Sequence, residues 1–217
     1  MAPMSSYSTE NLEKRLTDFT GTHVFVASGP LNFVESPYQE ERDLVSLAVE
    51  KRQMEFFTGR KLARQALSKA NAAEGPILRG PTGNPIWPDG IVGSITHDRS
   101  YALAVVAQSP PLKGLGIDLV ENTATVTSDV GPLVMHDAEF RLLTELFPSQ
   151  NIGAVAFSIK ESVVKALSPH LDRYLDMLDI HLAGDGNALV ATLSNSPYRC
   201  RCLAVFGPHG LFTASFF

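Results

Sequence analysis

FSIKESVVKAL, positions 157–167, has a counterpart in FTGRKLARQAL, positions 57–67, and the pair bears directly on how the chain is divided. Laid side by side without a gap, they match Phe57 with Phe157, Thr58 with Ser158, Arg60 with Lys160, Ala66 with Ala166 and Leu67 with Leu167. Amphipathic helices share a composition that produces such matches by itself; the alternative is an internal duplication. A duplication implies two similar α/β halves with a cleft between them, and clefts of that kind hold ligands.

The same order of elements recurs on either side of the pair. Residues 40–73 carry Leu44, Leu47, Ala48, Met54, Phe57, Leu62 and Ala66 at roughly helical spacing, with Gly59 a break or entry point. EGPILRGPTGNPIWPDG (74–90) is too rich in Gly and Pro for long regular elements. IVGSIT (91–96) and YALAVVA (101–107), joined by HDRS, signal a hairpin. QSPPLKG then breaks the chain, which places the boundary between an N-terminal half, 1–110, and a C-terminal half, 111–217. In the second half GLGIDLV reads as a strand, HDAEFRLLTELF (136–147) as an amphipathic helix, and FSIKESVVKAL as the opening of another. DIHLAG, ALVATL, CRCLAVFG and LFTASFF close the chain as alternating strands, so helix precedes sheet in both halves of an α+β chain.

At 217 residues, with 44% hydrophobic and 19% charged side chains, the chain has the profile of an ordinary folded protein. Its formal charge of -5 speaks against nucleic-acid binding, which needs a basic surface, but leaves room for a small anion in a local basic cluster. The opening MAPMSSYSTENLEKRL lacks an apolar signal region, and no apolar stretch is long enough to cross a bilayer, so the expected location is the cytoplasm without a membrane partner. Cys200 and Cys202 alternate with Arg199 and Arg201 along a strand, too close for a good disulfide, and read as buried thiols.

The residues that suit chemistry each have an ordinary structural reading too. Asp118 stands on the short apolar strand GIDLVEN (116–122), where it either caps a turn or needs a partner or cation to offset burial. Ser158-x-x-Glu161 has the form of a capping box with Ser158 at the N-cap, yet Glu161 and Lys165 also share one helical face. A helix start bearing such groups suits an anionic ligand with a bound metal. His97 ends a strand at a turn; Arg60 and Arg64 lie one helical turn apart, as a solvated face or a phosphate clamp.

Taken in order, FFTGRKLAR, PIWPDGIVGSITH, GIDLVE and FSIKESVVKA resemble the Sfp/EntD-type 4′-phosphopantetheinyl transferases, which carry G-[IV]-D and, further on, [FW]-S-x-K-E-[AS]-x-x-K. The likeness runs from about residue 40 to 167. It implies a fold of two similar α/β subdomains about a pseudo-twofold, with coenzyme A in the cleft between them and Mg²⁺ as cofactor. It also implies the reaction: a serine of an apo acyl, peptidyl or aryl carrier protein takes the phosphopantetheine arm, and 3′,5′-ADP leaves. By the same resemblance Asp118 and Glu161 are the magnesium ligands, and His97 bonds a coenzyme phosphate. Arg60, Arg64 and Arg79 are candidates for the remaining phosphate charge. Lys160 and Lys165 match the two lysines of the motif as coenzyme-binding groups, with Lys165 beside the departing pyrophosphate. Glu161, or water polarised by the metal, takes the serine proton.

One departure stands out. Many members carry an acid two positions after the first Asp; here that position is Val120, and the acid follows as Glu121. Strand alternation turns Glu121 to the other face unless the backbone bends. A water replaces the ligand, or Glu121 reaches in; GIDLVE is also similar to the smaller holo-acyl-carrier-protein synthases, which place a Glu there. The resemblance assigns the 122–150 region to the carrier protein, with Phe140, Leu143, Leu146 and Phe147 as an apolar stripe that equally suits ordinary core. The rival functions are a non-catalytic module binding coenzyme A or a carrier protein, kept open by Val120, and a structural interaction protein. Features of the first half tilt the acceptor toward secondary metabolism, such as siderophore or nonribosomal peptide assembly, and two internal halves make a monomer sufficient.

Overall fold

A computed structural model describes residues 9–171 and 173–217. The first half runs α1 (Thr9–Thr20), β1 (Val24–Pro30), α2 (Gln39–Asp43), α3 (Glu50–Lys69), β2 (Ile91–His97) and β3 (Tyr101–Gln108). The second runs β4 (Leu115–Val120), α4 (Gly131–Val134), α5 (Asp137–Leu146), α6 (Ile152–Leu167), β5 (Ile180–Asp185), β6 (Ala188–Leu193), β7 (Arg199–Gly207) and β8 (Gly210–Phe216). Strands of the first half form an antiparallel sheet of order β1-β3-β2, and those of the second an antiparallel sheet of order β4-β8-β7-β6-β5. The chain is thus a mixed α and β protein with two sheets.

Alternation along the strands sorts their side chains into three layers of core. Ala27, Ala102, Ala104 and Val106 face α3, where Leu62, Ala63, Ala66 and Leu67 meet them. The opposite faces, Val24, Val26, Leu103 and Val105, pack against Leu115, Ile117, Leu119 and Phe212 of the second sheet, with Leu12 and Leu16 of α1 closing the side. Behind the second sheet, Val155, Ile159 and Val163 of α6 pack against Leu182, Ala191, Cys200 and Leu211. Because β4 lies between two cores it is buried on both faces, which is why its sequence reads as an unbroken apolar run around one aspartate.

Gly59 does not break α3, which runs straight through it; a Cβ there would lie 2.9 Å from Cγ2 of Ile95, so the glycine lets the helix approach β2. Gly116 serves a closer approach still, since a Cβ there would meet the Ser162 carbonyl oxygen at 2.0 Å, and β4 therefore lies against the backbone of α6. Nor does α6 begin at a Ser158 cap. Its N-cap is Asn151, whose Oδ1 accepts from the Ala154 amide at 3.1 Å, and Ser158 and Glu161 lie inside the helix. The first turn of α6 is apolar on all sides because it is wedged between core layers, which removes the periodicity that would have marked its start.

The apolar stripe of α5 divides. Leu143 is in the core and Phe147 packs against it, whereas Phe140 and Leu146 are each 49% exposed. Cys200 and Cys202 are free buried thiols, and burial pushes both up to about 12. No helix among the described residues is long and apolar enough to cross a membrane.

Candidate functional site

Strand alternation in β4 turns Asp118 toward α6, and β8 brings Thr213 opposite it as cross-strand partner. On α6, Ser158, Glu161 and Lys165 fall on successive turns. Asp118 is only 7% exposed, and an ionised carboxylate at that depth needs partners. It has them: Oδ1 accepts from Lys165 Nζ at 2.7 Å and from Thr96 Oγ1 at 3.3 Å, and Oδ2 accepts from Ser158 Oγ at 2.9 Å. Lys165 also reaches Thr96 Oγ1 at 3.3 Å, so β2 of the first half and α6 of the second meet on this one carboxylate.

Asp118, Glu161, Lys165, Thr96, His97 and Asp98 line an open cavity of about 440 Å³. Burial raises the pKa of the Glu161 carboxyl; Lys165 works against this and the charge of Asp118 adds to it. The two acids thus sense one another across a shared space. Ile95, His97 and Lys165 also border a second cavity, about 290 Å³, walled by Arg52, Arg60 and Arg79. There Arg60 is held by the Ile77 carbonyl oxygen, which its Nε meets at 2.7 Å, and its guanidinium lies 4.4 Å over the Phe56 ring. Burial lowers Arg60 to about 10; Glu41 opposes this, while Arg79, Arg52 and Arg64 reinforce it, so it stays cationic at neutral pH. A buried arginine among other arginines favours a polyanion as occupant.

His97 stands at the joint between the cavities. Its Nε2 is 3.2 Å from Arg52 Nη1, and since a guanidinium only donates, Nε2 accepts and Nδ1 carries the proton. Burial first, then the charges of Arg52 and Lys165, lower the imidazole pKa against the opposing pull of Glu55 and Asp98, so the ring is neutral at pH 7.

Three of the residues expected at the site are engaged elsewhere. Lys160 is fully buried behind the second sheet, with Nζ 2.8 Å from Glu139 Oε1 and 3.0 Å from the Met177 carbonyl oxygen; helix geometry turns it away from the face that carries Glu161 and Lys165. Arg64 spends its Nη1 on both oxygens of the buried Glu41, at 2.6 and 2.8 Å, and lines neither cavity. Glu121 points as alternation requires, away from Asp118, and accepts from the Ser100 amide at 2.6 Å, the Tyr101 amide at 2.8 Å and Ser100 Oγ at 2.6 Å. Val120 keeps the Asp118 face of the strand but belongs to the apolar core. Conversely, Arg52, Thr96 and Ser158 are at the site. Arg52, Phe56 and Arg60 stand four apart on α3, a spacing that marks one face; Ser158 is the serine of the [FW]-S-x-K-E motif, where it reads as a cap, and Thr96 carries no comparable signal.

Among the described residues no group of three or more His, Cys, Asp or Glu side chains is placed to hold a metal ion. A cation in this cavity would therefore draw two protein carboxylates, from Asp118 and Glu161, and complete its shell with water or phosphate oxygens. That all-oxygen set suits magnesium, which keeps several waters, and not the softer transition metals.

Comparison with known proteins adds a family. Residues 40–107 match the family model described as the 4′-phosphopantetheinyl transferase N-terminal domain. Residues 114–210 match that of the 4′-phosphopantetheinyl transferase superfamily. Over 148 residues the chain is 35% identical to the 4′-phosphopantetheinyl transferase PptT of Mycobacterium tuberculosis, covering 68% of this chain and 65% of that protein. Over 169 residues it is 37% identical to the 4′-phosphopantetheinyl transferase Svp of Streptomyces mobaraensis, covering 76% and 68%. Enterobactin synthase component D of Salmonella typhimurium is 32% identical over 164 residues, covering 76% and 65%. The chain thus matches about two thirds of the length of each of these relatives.

Proposed function

Because this chain belongs to the 4′-phosphopantetheinyl transferase superfamily, we propose that it moves the phosphopantetheine arm of coenzyme A onto a serine hydroxyl of an apo carrier protein, releasing 3′,5′-ADP. The observation that carries this reading is the joining of an acidic cavity, holding Asp118 and Glu161, to an arginine-walled one through His97 and Lys165. Coenzyme A has the matching shape: a phosphorylated nucleotide at one end, a diphosphate in the middle, and an arm leaving from it.

In this reading Arg52, Arg60 and Arg79 take the nucleotide phosphate charge, and His97 donates from Nδ1 to a phosphate oxygen. Asp118 and Glu161 would hold Mg²⁺, which when bound neutralises diphosphate charge and stabilises the departing oxyanion. The serine oxygen bonds to the phosphorus on the pantetheine side, and the bond from that phosphorus to the bridging oxygen breaks. Glu161, or water polarised by the metal, receives the serine proton. Lys165 lies within the cavity to neutralise or protonate the bridging oxygen as its charge grows.

The exposed Phe140 and Leu146 on α5 offer apolar surface to the carrier protein. The relative named enterobactin synthase component D supports carriers of secondary metabolism, siderophore or nonribosomal peptide assembly among them, as acceptors. The pseudo-twofold is supported by the two motif-bearing helices: each packs on an antiparallel strand pair, α3 chiefly on β3 and β1, α6 chiefly on β4 and β8. We take 1–110 and 111–217 as the two related halves, acting as a cytoplasmic monomer. The test is incubation with coenzyme A, Mg²⁺ and an apo carrier protein: mass spectrometry is expected to show the carrier gaining one phosphopantetheine per 3′,5′-ADP released. Glu161→Gln is expected to slow turnover by at least about a hundredfold with coenzyme A binding and the melting curve retained. Unchanged turnover in that variant removes Glu161 from the mechanism, and coenzyme binding without transfer by the wild type leaves a binding module.

A further inference from the structure

We propose that Ser158, backed by Thr213, is a positioning residue that fixes which edge of Asp118 faces the cavity. This rests on the transferase reading above and adds to it a pair of hydroxyls that no substrate touches. Asp118 has an inner and an outer oxygen: Oδ1 meets Lys165 and Thr96, whereas Oδ2 accepts from Ser158 Oγ at 2.9 Å. Ser158 and Thr213 are fully buried and line neither cavity. Thr213 Oγ1 lies 2.9 Å from Ser158 Oγ and 2.8 Å from the Ser158 carbonyl oxygen.

Counting protons gives the direction of this network. An ionised carboxylate only accepts, so the hydroxyl proton of Ser158 points at Oδ2, and the single proton of Thr213 serves the Ser158 hydroxyl or carbonyl oxygen. Thr213 therefore backs Ser158 at its hydroxyl or at its carbonyl oxygen, while the Ser158 proton goes to Asp118. The serine further along α6 and the one at its C-cap behave differently. Ser162 donates to the Ile159 carbonyl oxygen at 2.6 Å and Ser168 to that of Val164 at 2.6 Å, which is the usual outlet for a serine in a helix. Ser158 alone among these three directs its proton to a carboxylate. With Oδ2 held from behind, Asp118 cannot turn about its last bond, and Oδ1 stays toward Lys165, Thr96 and any cation. Removing the hydroxyl leaves a buried acceptor unsatisfied, and the carboxylate turns to find a partner.

The test titrates Mn²⁺, as a spectroscopic stand-in for magnesium, into wild type, Ser158→Ala, Thr213→Val and Thr213→Ser, with coenzyme A present. Coenzyme A binding without metal, melting curves and the Mg²⁺ concentration needed for half-maximal transfer are measured alongside. Ser158→Ala is expected to bind Mn²⁺ on the order of tenfold more weakly, as loss of a partner behind a metal ligand typically does. Thr213→Val is expected to show a smaller loss, and Thr213→Ser is expected to restore wild-type binding. Metal-free coenzyme A binding is expected to stay level, and excess Mg²⁺ to recover most of the transfer rate. Equal Mn²⁺ affinity across the folded variants overturns the proposal, as does a parallel loss of metal-free coenzyme A binding, or a wild type that binds no Mn²⁺. If Ser158→Ala fails to fold, the contrast between Thr213→Val and Thr213→Ser decides. A wild type that binds Mn²⁺ but transfers nothing sinks the transferase reading while the metal comparison still stands.

Discussion

Arg52 and His97 meet where the two cavities join, and what each does there follows from charge. Arg52 donates to Nε2 of His97 and also reaches Glu55 Oε2 at 3.2 Å, so it is anchored while its face toward the cavity stays cationic. An arginine held this way loses little freedom on binding phosphate. Arg52→Ala is therefore expected to raise KM for coenzyme A about tenfold with kcat little changed, the size of one charge-assisted hydrogen bond. Steady-state kinetics at saturating carrier protein checks this; a fall in kcat at constant KM would instead place Arg52 in the chemical step. Arg64, one turn beyond Arg60, was open to the same reading from spacing. Its engagement by Glu41 was hidden because Glu41 comes from α2 and is drawn into the core by Ser36 Oγ, at 2.6 Å, and the Ile77 amide, at 2.8 Å.

Among the elements, α6 carries most of the site, and its register is fixed by a charge pair on its far side. Lys160 and Glu139 are both buried, and Glu139 also accepts from the His136 amide at 2.7 Å and the Leu182 amide at 2.8 Å, tying α5 and β5 to α6. Lys160→Met strands the carboxylate and is expected to cost about 3–5 kcal/mol in denaturant unfolding, whereas Lys160→Met with Glu139→Gln is expected to recover part of that loss. No recovery in the double variant would mean that Lys160 packs rather than pairs. The sequence made the strands of both sheets' hairpins legible, because β2, β3, β4 and the last four strands alternate or run apolar between turn residues. It made α6 legible but not its start: Ser158 and Glu161 imitate a capping box, and the true cap, Asn151, precedes a run with no polar face. α1 and β1 carry no motif to single them out, and packing against the second sheet selects them. At the site, Asp118, Glu161, Lys165 and His97 are readable from their motifs, while Lys160 shares a motif with them and points the opposite way, a matter of helix phase that the motif does not encode.

Across the whole molecule, the halves are joined by a clasp. Glu121, just past β4, grips the Ser100 and Tyr101 amides of the β2–β3 turn, and Asp98 Oδ2 from that turn accepts from the Glu121 amide at 2.6 Å. Ser94 Oγ of β2 adds a bond from the Ile117 amide at 3.1 Å. Burial would raise the Glu121 carboxyl, but bonds from Ser100 and Tyr101 outweigh it and hold the pKa below the ordinary value. The clasp's contribution is therefore complete above the ordinary carboxylate range and drains as pH falls through the lowered value. Glu121→Ala is expected to cost on the order of 1–2 kcal/mol at neutral pH, and the gap from wild type is expected to narrow in acid; urea titrations at both pH values test it, and a gap that widens in acid would refute the linkage. A different constraint comes from Gly116, where the backbones of β4 and α6 touch. Any larger residue there would wedge apart the strand that bears one acid and the helix that bears the other. A library of random variants selected for the proposed transfer should therefore return position 116 unchanged, leaving this seam as inherited.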